Sequence, residues 1–434
     1  MRYSTLSEWL AWQETLHPTK IALGLERVRV VLDRMALAPL PPVVTVAGTN
    51  GKGSCVAMLE AMLRAADHRV GAYTSPHLLR YNERVRLDGQ VVGDEQLCAA
   101  FARVDAARED VSLTYFEFGT LAALDLFARE ELDAVILEVG MGGRLDAVNV
   151  IDPEVAVITT VDIDHAAWLG GDRESIAAEK AGVFRAGRPA IYGDSNIPAA
   201  VVARARALHA PLYRLGHEFG IEAEPAGWSW WGPAGRLRKL PPPRLVGPFQ
   251  LKNAATALMA LAALHGRLPV GEHALRQGLS RVELMGRLQA LDGQGLRLCD
   301  VAHNPQAAAA LAEGLRALPC PGRTHAVLAM LADKDVSGVV AAMKDSVDVW
   351  HLAGLDGERG ASVEQLAMRV HAVLDRGPVR DYETVAAALH GAWTAVGSLD
   401  RIVVFGSFHT VAAALAPENA LWRAPSHHEQ VSAR

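Results

Sequence analysis

The chain has 434 residues, enough for two or three domains at about 150 residues each. Half of it is hydrophobic, 6% is aromatic, and the formal net charge is -6, so the overall basic character that nucleic-acid binding favours is absent. No apolar run approaches the ~20 residues of a membrane helix, and the start, Met1-Arg2-Tyr3-Ser4, has no apolar signal segment.

The first strong signal is Val43–Ala47, an apolar run with β-branched residues, which predicts a strand. It feeds Gly48-Thr49-Asn50-Gly51-Lys52-Gly53-Ser54-Cys55, and a helix-like stretch, Val56–Leu63, follows. Strand, glycine-rich loop and helix are the context a phosphate-binding loop requires. Glycines let backbone N–H groups converge on phosphate oxygens, the helix N-terminus favours negative charge, and Lys52 adds a mobile positive charge. The lysine is expected to face solvent when no nucleotide is bound. The spacing departs from G-x-x-x-x-G-K-[ST], because Gly48 lies close to Gly51 and Gly53 separates Lys52 from Ser54.

Further strands are expected at Val70–Tyr73, Ala134–Val139, Val155–Val161 and Pro189–Tyr192, with helices at Gln96–Ala107, Phe118–Phe127 and Glu174–Val183. Their strands read apolar on both faces, as in a parallel sheet covered by helices. Gly216–Pro248 breaks the rhythm with Trp228, Trp230, Trp231 and Pro241-Pro242-Pro243, and reads as short antiparallel strands or an extended excursion. A helix from Gln250 to His265 follows. A second alternation then begins: strand Leu296–Val301, helix Pro305–Ala317, strand His325–Met330, helix Val336–Met343, strand Val347–Leu352, helix Val363–Leu374 and strand Ile402–Phe405. Both halves read as doubly wound α/β units, with a boundary near Leu284–Leu291. The polar tail, Pro425–Arg434, is expected to fray.

Polar residues gather where these strands end, the ligand-binding zone of open α/β sheets. Glu138 closes an apolar strand and opens Val139-Gly140-Met141-Gly142-Gly143-Arg144-Leu145-Asp146. An unpaired carboxylate is costly to bury in such a strand, which favours a magnesium role over a surface acid. Asp164 and His165 follow the next strand and are placed to share a cation with Glu138, although imidazole is an unusual magnesium ligand. Lys180, judged from its helix alone, reads as a solvated surface lysine. Tyr73–Arg84 forms a loop rich in hydrogen-bonding groups, a type that more often binds substrate than packs. Asp300-Val301-Ala302-His303-Asn304-Pro305, Asp333-Lys334-Asp335 and Gly406-Ser407-Phe408-His409 repeat the arrangement, and helix capping alone accounts for some of these residues. Cys55, Cys98, Cys299 and Cys320 are widely separated, as expected of reduced thiols in a cytoplasmic protein.

Six motifs occur in one order: Gly48–Ser54, Ser75-Pro76-His77-Leu78, Glu138–Asp146, Asp164-His165, Glu179-Lys180-Ala181-Gly182 and Asp300–Pro305. With them the chain resembles, over nearly its full length, the folylpolyglutamate synthase/dihydrofolate synthase family of the Mur ligase superfamily. The resemblance implies an N-terminal P-loop-type ATPase domain with a mostly parallel sheet, residues 1–285, and a smaller C-terminal Rossmann-like ligase domain, residues 286–434. It implies a hinge at Met285–Gln289. A cell-wall Mur ligase would normally add an N-terminal UDP-sugar domain, for which the stretch before Gly48 is shorter than the ~50 residues of the smallest domains.

The resemblance further implies ATP-dependent amide formation through an acyl phosphate, with L-glutamate as the amine. Lys52, Glu138, His165 and Lys180 take the catalytic positions, Lys180 as a carbamate. Asn50, Gly51, Lys52, Gly53, Ser54, Asn253, Arg287, Asp300 and His303 match ATP-binding positions. Ser54, Ser75, Glu138 and His165 match metal positions, for two Mg²⁺ ions with K⁺ as a further cation. Thr114, Tyr115, Phe116, Glu117, Leu145, Asp146 and Ala147 match a pteroate site, where Phe116 either stacks on the pterin or packs in the core. Asp146-Ala147 after Arg144-Leu145 looks like the bifunctional form, acting on dihydropteroate and on reduced folates; tail extension alone is the alternative. The expected partners are small molecules, without nucleic acid or membrane, and the expected state is a monomer.

Overall fold

The computed structural model describes residues 2–224, 227–292, 295–374, 377–417 and 419, so the tail from Pro425 lies outside the described residues. The chain divides into two compact units, the first comprising Met1–Arg244 and Gln250–Val282, the second Leu245–Phe249 and Glu283–Arg434.

The first unit is built on eight strands: β1 Val43–Ala47, β2 Val70–Tyr73, β3 Val85–Leu87, β4 Gln90–Val91, β5 Ala134–Glu138, β6 Val155–Ile158, β7 Ala190–Tyr192 and β8 Leu212–Arg214. Their order is β4-β3-β2-β5-β1-β6-β7-β8, parallel from β2 to β8, with β3 antiparallel to β2 and β4 antiparallel to β3. Every residue of β1, β5 and β6 is buried, as the two-faced apolar runs require. Strand β6 ends sooner than expected, since Thr159–Val161 leave the ladder. Three antiparallel strands, β9 Gly220–Glu224, β10 Gly227–Gly232 and β11 Gly235–Leu240, account for the tryptophan-rich break in rhythm. Trp230 of β10 donates its indole N–H to the carbonyl of Ala255, which fixes this small sheet on helix Phe249–Leu264.

The second unit has β12 Gln289–Ala290, β13 Arg297–Cys299, β14 Thr324–Leu328, β15 Val349–Ala353, β16 Val379–Tyr382 and β17 Arg401–Phe405. They run β12-β13-β17-β14-β15-β16, all parallel except β12. Val246 packs against the core of this unit, which explains why Leu245–Phe249 groups with it. Helix Pro305–Ala317 forms as expected, with Pro305 in the first turn and the Asn304 side chain capping the N–H of Ala307.

Helix Leu6–Thr15 escapes the sequence reading. It buries Trp9 completely in an aromatic cluster with Tyr3, Trp12, Phe101 and Phe118. Removing so large a side chain leaves a cavity its neighbours cannot refill. Trp9→Ala is expected to destabilise the first unit by about 3–5 kcal/mol, read from the denaturant midpoint.

Candidate functional site

The strand order sets three carboxyl ends side by side: β1 lies between β5 and β6, with Val46 opposite Glu138 and Ala47 opposite Ile158. This is a switch point, where ligands bind in open sheets. From β1 the chain turns through Gly48–Gly51 into helix Lys52–Ala65. Gly48 has φ +148°, and a side chain there would overlap the Thr159 hydroxyl. Gly51 caps the helix at φ +87°, where a Cβ would sit 2.5 Å from Asn253 Oδ1. Both glycines answer a geometric demand.

The segment after β6 holds the loop. Thr49 N–H donates to the Thr160 carbonyl (2.8 Å), Asn50 N–H to Thr160 Oγ1 (3.1 Å), and Thr159 Oγ1 donates to the Asn50 carbonyl (2.6 Å). Thr49 Oγ1 donates to the Asp162 carbonyl (3.0 Å). Lys52 departs from the expected solvent-facing position. Its half-buried side chain folds back over the loop, donating from Nζ to the carbonyls of Gly48 (3.0 Å) and Thr49 (3.2 Å). Ser54 is 1% exposed and accepts from Gln250 Nε2 (3.3 Å), whose Oε1 accepts from Asn253 Nδ2 (2.9 Å).

Glu138 is buried at the end of β5, and one carboxylate oxygen accepts the Ser75 N–H at 3.2 Å. His165 stands beyond β6 at φ +53° and caps the short helix Ala166–Leu169, with Nε2 3.9 Å from Asp164 Oδ2.

Lys180 corrects the surface reading. It is only 4% exposed, at the end of helix Arg173–Lys180. Burial pushes its amine down to about 7, and the Lys52 charge pushes the same way against Asp164 and Asp146. The packing is glycine-dependent: a Cβ on Gly143 would sit 2.8–3.0 Å from the Glu179 and Lys180 backbone, and one on Gly182 would overlap Arg144. Arg144 N–H donates to the Glu179 carbonyl (2.8 Å), and its guanidinium pairs with the Glu179 carboxylate at 2.8 Å. Periodicity alone does not disclose this, since helix and glycine turn lie far apart in sequence.

Asp146 is buried, and burial pushes its carboxyl up to about 6, held back by the N–H groups of Met141 (2.8 Å) and Val148 (3.1 Å). It caps the short turn Ala147–Val150, in which Ala147 is buried, while the Leu145 carbonyl accepts the Gly24 N–H. Thr114 and Glu117 form a capping box, and Glu117 pairs with Arg27 at 2.8 Å. Tyr115 and Phe116 are half-buried; the Phe116 ring lies 6.0 Å from that of Tyr73 and against Gly140, where a Cβ would meet it at 2.6 Å.

In the second unit, Asp300 follows β13, buried, and accepts N–H bonds from Leu288 and Ala302, each 2.7 Å. The Arg287 guanidinium lies 5.3 Å from the Phe408 ring centre, and the His303 ring 6.5 Å from it. Asp335 and Ser407 cap their helices, as the capping reading allows.

The Mur ligase middle domain family matches residues 46–261, and the Mur ligase glutamate ligase domain family matches 286–408. An Escherichia coli dihydrofolate synthase/folylpolyglutamate synthase is 47% identical over 410 residues, covering 94% of each chain. The chain belongs to the dihydrofolate synthase/folylpolyglutamate synthase family of Mur ligases. It is thereby an ATP-dependent amide ligase. The structure of E. coli FolC in complex with DHPP and ADP superposes with a TM-score of 0.89 at 46% identity, covering 94% of this chain and 96% of that one. A bifunctional folylpolyglutamate synthase/dihydrofolate synthase with Mn, AMPPNP and L-glutamate bound gives 0.87 at 47% identity, covering 94% and 97%.

Family resemblance selects Asn253 but leaves out Gln250, Thr159 and Thr160, the residues that hold the loop in this ligase. Gln250 sits one turn before Asn253, and that helical spacing is the available signal. Gln250→Ala removes the contact to Ser54 and the link to Asn253. ATP affinity is expected to fall about tenfold, the size of one neutral hydrogen bond, with the fold retained, as read by calorimetry and thermal unfolding.

Proposed function

We propose that this ligase adds L-glutamate both to dihydropteroate and to reduced folates, with a domain of residues 1–285 for ATP and pteroate binding and residues 286–434 as the ligase domain. The observation that carries the reading is the buried Glu138 carboxylate beside the loop Gly48–Ser54, at the shared end of β5 and β1.

The acceptor carboxylate attacks the γ-phosphorus of ATP, the bond to the β,γ-bridging oxygen breaks, and ADP leaves as the acyl phosphate forms. The amine of L-glutamate then attacks the acyl carbon, and phosphate leaves with one oxygen from the acceptor. Lys52 exchanges its carbonyl partners for phosphate oxygens and offsets charge during transfer. The loop N–H groups orient the phosphates, and Asn50, Gly51, Gly53, Ser54 and Asn253 shape that seat. Arg287, Asp300 and His303, in the second unit, are nucleotide-binding positions in our reading.

The donor set fits a hard divalent cation: the Ser54 and Ser75 hydroxyls and Glu138 offer oxygen, and His165 offers the only nitrogen. Bound Mg²⁺, two ions in our reading with K⁺ as a further cation, would neutralise the phosphates and let two anions approach. Lys180 is enclosed where a carbamate would add a further oxygen ligand; a buried amine that loses its proton readily is the form that takes up CO₂. Asp146, Ala147, Leu145, Thr114, Tyr115, Phe116 and Glu117 shape the pteroate seat, Phe116 with one ring face against Gly140. We place the enzyme in the cytoplasm as a monomer; the four cysteines are free, and among the described residues no helix is long and apolar enough to cross a membrane.

Phosphate release from ATP and Mg²⁺ with L-glutamate tests the reading. Release is expected with dihydropteroate and with tetrahydrofolate alike. Release with tetrahydrofolate alone reduces the activity to tail extension, and silence with both overturns it. Lys180→Ala is expected to lower turnover by about 10–100-fold, the cost of losing a group that supports a metal. In the wild type, turnover should fall as the pH drops below about 7, where the amine is protonated, and added bicarbonate should recover part of it. Indifference to both treatments assigns Lys180 to packing.

A further inference from the structure

Arg84 is the feature of the first unit that neither the packing nor the nucleotide seat explains. It closes the short turn Tyr81–Arg84 and leads into β3. Its carbonyl accepts the N–H of Thr74, which ties it to the loop carrying Ser75. The residue is 8% exposed.

The groups in contact with its guanidinium are a ring nitrogen, a phenol and aromatic faces. Nε donates to His77 Nδ1 at 3.0 Å. The guanidinium carbon lies 5.2 Å from the Tyr81 ring centre and 5.6 Å from that of Tyr115. Those rings supply cation–π attraction but no countercharge. Burial raises the phenols of Tyr73, Tyr81 and Tyr115, the last to about 12, so none is an anion near neutrality. Among the described residues, no carboxylate comes within 4.0 Å of Arg84. Two other arginines of the first unit do have carboxylate partners: Arg27 meets Glu117 at 2.8 Å, and Arg86 meets Glu60 at 2.8 Å.

Holding a charged guanidinium out of water without an anion is costly, and such a charge is retained where a ligand supplies its partner. The planar fork matches a carboxylate through two parallel N–H bonds. The position narrows the ligand: Arg84 adjoins the Ser75 loop on one side and Tyr115, beside Phe116, on the other.

We propose that Arg84 binds a glutamyl carboxylate of the substrates. This rests on the function proposed above. The carboxylate has two sources, the α-carboxylate of the glutamate already present on a reduced folate, or a carboxylate of the incoming L-glutamate. Dihydropteroate carries no glutamyl group, so the acceptors separate the two sources.

Steady-state kinetics of Arg84→Met and Arg84→Lys, with thermal unfolding of each, provide the test. If the acceptor is read, the KM for tetrahydrofolate rises tenfold or more in Arg84→Met while that for dihydropteroate holds. If incoming glutamate is read, its KM rises by a similar factor with both acceptors. Arg84→Lys falls between, keeping charge but losing the fork. Without substrates, Arg84→Met unfolds no lower than wild type, because it removes an uncompensated charge. Unchanged KM values for all three substrates overturn the proposal, as does a lowered unfolding temperature with loss confined to kcat. Wild type inactive with both acceptors overturns the proposed function instead.

Discussion

The arrangement depends on how β1 is flanked. Because β5 and β6 hydrogen-bond to its two edges, the turn after β1 opens between two other strand ends, one bearing Glu138 and the other the threonines that grip the loop. Residues 92 to 111 positions apart, Val46 and Glu138 on one edge and Ala47 and Ile158 on the other, are brought together by the ladder. The glycines follow from that closeness. Gly48 and Gly51 leave room for Thr159 and Asn253, and Gly143 and Gly182 let the turn after β5 lie on the end of the Lys180 helix. Each is a place where backbone must approach backbone or a polar side chain, and a Cβ would force the partners apart.

Charge is enclosed here to a degree unusual for a protein interior. Glu138, Asp146 and Lys180 are nearly sealed from water, and each carries hydrogen bonds or opposing charges that temper the cost. Such groups do little for stability, since apolar side chains of the same volume pack as well or better. Their concentration at one end of one sheet is what a phosphoryl-transfer and amide-forming site requires, where charges appear and vanish and water must be kept from an acyl phosphate.

Much of this was legible in the sequence. Strand Val43–Ala47 and helices Pro305–Ala317 and Val336–Met343 have the expected bounds, because strong periodicity or a proline start marks them. The two α/β units and the family followed from motif order. Solvation was harder to read. Lys180 sits in a helix that looks ordinary, and its enclosure comes from Gly143 and Arg144 on another segment. Lys52 folds onto the carbonyls of its own loop. Gln250 touches Ser54 across 196 positions, a contact no local pattern announces. Helix Leu6–Thr15 was missed because its buried face is carried by Trp9 and Gln13, one of them polar, which blurs the apolar stripe.

The central claim is that ATP activates the acceptor carboxylate as an acyl phosphate at the seat formed by Lys52 and Glu138. Labelling the acceptor carboxylate with ¹⁸O and reading the released phosphate by mass spectrometry tests it most directly. The account predicts one labelled oxygen in each phosphate, because the acceptor oxygen that attacks phosphorus leaves with it when the amine takes its place. Phosphate released during glutamate addition but free of label would contradict the account.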